Sequence, residues 1–83
     1  MSQQITGQIT IREQRLFVVD LRSRQWHEVA PETSLSIPLV GMWIPGVYRP
    51  EYEDGQVSAF VLECSGGFCG LLNGMTARME VQA

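Results

Sequence analysis

Lysine is absent from this chain of 83 residues. All six basic residues are arginine, against nine acidic ones, and the formal net charge is −3. A field of that sign repels phosphate and weighs against nucleic acid as the main partner. Histidine occurs once, at His27, and cysteine twice, at Cys64 and Cys69. A zinc site built on the two thiols would need two further ligands, and the chain has only one His to offer. The cysteines are also spaced too widely for a Cys-x-x-Cys redox pair. They read as two small apolar side chains flanking the turn Ser65-Gly66-Gly67, free thiols in a reducing compartment.

The chain has no paired carboxylates and no Gly-rich phosphate loop. Ser65-Gly66-Gly67 lacks the Lys and the helix that a phosphate cradle requires. His27 has no recognisable nucleophile or substrate pocket to serve as a base. The sequence therefore predicts no catalytic residues, no metal and no cofactor. Met1-Ser2-Gln3-Gln4 carries neither a basic region nor an apolar run, so no signal peptide is expected. No stretch approaches the roughly 18 apolar residues of a membrane span. The expectation is a cytoplasmic protein without a membrane partner. No window shows a helical apolar stripe longer than one or two turns.

What is present is alternation. Ile5, Gly7, Ile9 and Ile11 fall on one side of a strand ending at Arg12, with Thr6, Gln8 and Thr10 on the other. Met75, Ala77, Met79 and Val81 alternate in the same way at the other end. Period two marks strands with one buried face. Glu13-Gln14 is a tight connection to a second strand, Arg15 to Leu21. Gln25 to Val29 reads as a short strand anchored by Trp26. Leu35 to Val40 is extended, and Pro38 confines it to an edge or a bend.

The centre of the chain is a long hairpin from Gly41 to Cys64, turning at Asp54-Gly55, a strong signal for a type I′ turn. A two-residue loop there pairs Tyr52 with Val57, Pro50 with Ala59 and Tyr48 with Val61. These six residues then share one face, and Val47, Phe60, Leu62 and Cys64 take the core face. Turns recur again at Ser65-Gly66-Gly67 and Asn73-Gly74. Short strands at turn spacings of about 8–12 residues predict an all-β domain. For one domain of this length the compact solution is a small barrel of five to six short antiparallel strands. Its two amphipathic end strands would pair and close the sheet.

A chain this short buries only about 60–65% of its unfolded surface. With 45% hydrophobic residues, apolar surface should be left over. The expected contact surface is the hairpin face of Tyr48, Pro50, Tyr52, Val57 and Val61, because Tyr supplies large area at low entropy cost. The acidic tip at Glu51, Glu53 and Asp54 would stay at its rim.

The C-terminal half carries Trp43 before a short strand, a turn, an apolar strand, and then Leu72-x-Gly74-Met75-x-x-Arg78 entering the last strand. In these positions it resembles a small uncharacterised bacterial domain family, frequent on plasmids and other mobile elements. The resemblance implies an SH3-like fold. It implies no activity and no site residue.

The leading expectation is a non-enzymatic interaction module that binds a protein partner, or itself as a homodimer. A second is a small enzyme whose site forms only on oligomerisation. A third is a weak nucleic-acid binder using the local arginine cluster Arg12, Arg15, Arg22 and Arg24, with Arg49 and Arg78 elsewhere.

Overall fold

A computed structural model describes residues 1–82. They form ten strands and no helix: β1 (Ser2–Arg12), β2 (Arg15–Asp20), β3 (Trp26–Glu28), β4 (Ser34–Leu39), β5 (Met42–Tyr48), β6 (Glu51–Glu53), β7 (Gln56–Ala59), β8 (Val61–Cys64), β9 (Gly67–Gly70) and β10 (Thr76–Gln82). The all-β antiparallel class follows the sequence. The strand count does not, since eight strands make one sheet in the order β3-β2-β1-β10-β4-β5-β8-β9, and β6 and β7 make a second ribbon.

The end strands do pair, with Ile5 opposite Met79 and Gly7 opposite Ala77. They lie in the middle of the sheet rather than closing it, which leaves β3 and β9 as open edges. On this central ladder the alternation holds. Ile5, Ile9, Ala77 and Met79 are buried, with Ile11, Met75 and Val81 packed against the same core. Gly7 is required here by space. A Cβ at this position would fall on the Val19 carbonyl and 2.8 Å from Val18 Cγ1, so β1 and β2 can approach only because the side chain is missing.

β4 and β10 pair at a single position, Arg78 with Ser36. The two strands diverge from there, which bends the sheet around a core of Leu16, Val18, Val29, Leu35, Ile37, Leu62 and Leu71. Pro38 sits at a local edge of an otherwise interior strand. It lies past the Ser36 pairing, where β5 is the only neighbour of β4, and no ladder donor is missing. Trp26 does not anchor β3. It is half exposed and meets Phe17 edge-on at 5.4 Å, while Val29, just after the strand, is buried.

Candidate interaction surface

The Asp54-Gly55 turn forms as its sequence dictates, with φ of 53° and 78° and Tyr52 opposite Val57. One step further the register shifts, and Glu51 pairs with Ala59. Ser58 is the extra residue, and its hydroxyl donates to the Glu51 carbonyl at 3.3 Å. A bulge of one residue moves every later side chain to the other face. Tyr48 consequently stands opposite Leu62 rather than Val61.

This corrects the expected contact face. Tyr48 is 3% exposed and belongs to the core, and burial, with Tyr52 nearby, pushes its phenol pKa up to about 12. Pro50, Val57 and Val61 are half-buried, and of the five only Tyr52 is exposed. Val47, expected in the core, is half-buried and lines a groove on the outer face. Phe60, Leu62 and Cys64 pack into or against the core as read from the sequence.

That groove, about 600 Å³, opens where β4 and β10 diverge. Ser34, Ser36, Pro45, Glu63, Arg78 and Glu80 are among its walls. The Arg78 guanidinium carbon sits 4.0 Å from the Trp43 ring centroid, a cation–π stack. Its Nε is buried and has no acceptor among the described residues. The groove holds charges of both signs, Arg78 against Glu63 and Glu80, together with the hydroxyls of Ser34 and Ser36.

The other arginines are largely occupied. Arg15 makes a two-point ion pair with Glu28. Arg49 bridges Glu32 at 3.2 Å and Glu63 at 2.6 Å. Arg12 lies 5.1 Å above the Trp26 ring. Within the expected basic cluster, Arg22 and Arg24 alone have neither an ion pair nor a ring among the described residues, which is a thin footprint for phosphate contact.

Cys64 and Cys69 are free thiols. Burial, helped by Cys69, raises the Cys64 thiol above its ordinary pKa, which makes it a poor nucleophile. Among the described residues no three His, Cys, Asp or Glu side chains gather where they could hold a metal. Among the described residues Asp20 is the one buried charged side chain. Its carboxylate accepts the Arg22 N–H at 2.9 Å, and that bond, aided by Ser23, holds it below the usual carboxylate range. It caps a turn at the wall of a small pocket shared with Gln4, Thr6 and Arg22.

Known proteins offer no guide to this surface. The chain matches no family model, no curated protein and no solved structure.

The exposed apolar side chains gather at places the sequence reading passed over. Leu39, Val40 and Met42 are 58%, 93% and 65% exposed at the turn between β4 and β5. That turn is Val40-Gly41, with φ of 50° and 75°. A β-branched residue with positive φ is a genuine outlier. The signal was present as a glycine between two apolar runs, but Val40 looked like the end of a strand. Phe68 is 71% exposed on edge strand β9, and Leu72, just beyond it, 68%.

Proposed function

We propose that the protein is a non-enzymatic interaction module that binds another protein, with the apolar tip between β4 and β5 as a contact point. One observation carries this reading: Val40 holds a left-handed backbone while almost wholly exposed. Such a conformation costs about 1–2 kcal/mol for a residue with a Cβ, and Val40 gains no packing within its own chain to offset it. Asn or Gly would fill the turn at lower cost. A strained, exposed apolar residue between Leu39 and Met42 is what a docking knob needs. The same proposal takes the bent sheet as an SH3-like barrel. It places the chain in a bacterial cytosol among mobile-element proteins, a setting supported by the pattern from Trp43 to Arg78.

A membrane is the other common destination for an apolar tip. Segments that dip into anionic bilayers carry flanking basic residues, and this chain is acidic and without lysine.

The test is a photo-crosslinking amino acid at position 40 in the source cell, with position 53 on the acidic tip as control. A single discrete partner captured from 40 and not from 53, and lost when Leu39 and Met42 become Asp, supports the reading. No adduct, or binding to lipid vesicles alone, overturns it.

A further inference from the structure

Strand β9 is a free edge protected only by its shortness, four residues. Natural edges are blunted by charge, by proline or by a covering segment. β9 reads Gly67-Phe68-Cys69-Gly70, with no charge and no proline. Its nearest acid on the same face, Glu63, is paired across the ladder with Phe68 and already bridged by Arg49 at 2.6 Å.

The two-residue turn Ser65-Gly66 makes Cys64 and Gly67 a hydrogen-bonded pair, so Leu62 and Cys69 form the next one. The Leu71 N–H donates to the Phe60 carbonyl at 2.8 Å and continues that series. Gly67, Cys69 and Leu71 therefore spend their backbone groups on β8. Phe68 and Gly70 direct theirs outward, where among the described residues only the Cys69 thiol reaches them, donating to the Gly70 carbonyl at 3.6 Å.

The edge is complementary to itself. Antiparallel pairing of β9 with a second β9 about a two-fold axis through Cys69 sets Phe68 of each copy opposite Gly70 of the other. The outward N–H and C=O groups of both residues then bond in two reciprocal pairs. A Cβ on Gly70 would meet nothing within 4 Å, so the outer face above it is empty. Phe68, exposed on that same face, fills this space across the axis, with half-buried Val61 of the second copy beyond Gly70. Aromatic cover of a strand glycine is a recognised way to pin register.

We infer that the protein self-associates edge to edge through β9, with a second copy of this chain as the occupant. A two-fold interface matches a patch to itself, and this one joins two eight-stranded sheets into one continuous sheet. A four-residue strand falls short of the roughly 1,000 Å² of a persistent interface, so the dimer exchanges with monomer. The surface is separate from the β4–β5 tip, and this inference stands or falls without it.

The register gives a direct test. Cys69 of the two copies face each other as a non-hydrogen-bonded pair, with Cα atoms about 4.5 Å apart, inside the disulfide range. In C64S, copper phenanthroline oxidation should give a disulfide dimer on a non-reducing gel. C69S, which keeps Cys64, should give at least tenfold less. Sedimentation of the wild type up to about 1 mM should show a rising mass, and F68K should stay monomeric with an unchanged β spectrum. A wild type that remains monomeric, equal crosslinking through Cys64, or an F68K variant that still dimerises overturns the inference. If F68K fails to fold, the cysteine pattern decides alone. Changing Val40 should alter neither result.

Discussion

Tyr48 faces Leu62 directly across β5 and β8, and both side chains close the same core, at 3% and 0% exposed. The pair exists because Ser58 adds one residue to β7. Leu62→Ala should destabilise the domain by about 2–4 kcal/mol and Tyr48→Ala by about 3–5 kcal/mol, in the range of other buried truncations. Urea unfolding followed by far-ultraviolet circular dichroism measures both. Tyr48→Asp should abolish folding rather than yield a soluble monomer.

The Tyr48 phenol gives an alkaline signature. Its folded pKa of about 12 lies above the unfolded value near 10. The stability linked to it is complete below pH 10 and is lost as pH rises from there towards 12. Urea midpoints measured between pH 9 and 12 should fall across that window. In Tyr48→Phe the fall should be shallower.

Asp20 works in the opposite direction. Its folded pKa is depressed, first by the Arg22 N–H. Its contribution is present above the unfolded carboxyl value, about 3.9, and is lost as pH falls through the lower folded value. Asp20→Asn should be less stable than wild type at pH 6, and the difference should shrink as pH falls below about 3.9. A constant difference over that range would assign Asp20 a role independent of its charge.

Gly7→Ala should cost about 3 kcal/mol or more, the upper end for overpacking, because backbone rather than a movable side-chain end lies where the methyl would go. Gly70→Ala, which meets open space, should change the monomer's thermal midpoint far less. The two variants differ by the same single methyl, so their contrast isolates the strand approach at β1 and β2.

Val40→Asn should raise stability by about 1 kcal/mol, since Asn accepts the left-handed region more readily. A gain in urea midpoint joined to lost capture by a crosslinking amino acid placed at exposed position 42 would show strain retained for contact. No gain would show that the turn carries no such strain.

The strands with one buried face were legible in the residues. Ile5 to Ile11 and Met75 to Val81 alternate without interruption, and the structure keeps that period and pairs the two runs. The Asp54-Gly55 turn was equally legible, because few dipeptides accept two positive φ values. The slip at Ser58 was not. Any small polar residue fits a bulge, and nothing local distinguishes it from ordinary pairing. That single uncounted residue exchanged the places of Tyr48 and Val47 and dissolved the expected contact face. Val40 misled for a related reason, since its strand propensity describes residues on either side of the turn better than the turn it occupies.

The central ladder of β1 with β10 joins opposite ends of the chain. A ribosome delivers β1 before the other nine strands and β10 after them. Until Met79 emerges, Ile5 has no neighbour on that side, and the sheet exists only as two unconnected wings. Pairings this distant in sequence form slowly, because loop closure precedes any return from contact. Synthesis therefore leaves a waiting period in which β1 is an uncovered edge, and a neighbouring nascent chain can supply the missing β10. An exchanged dimer, with terminal strands traded between copies, is the kinetic hazard written into this strand order.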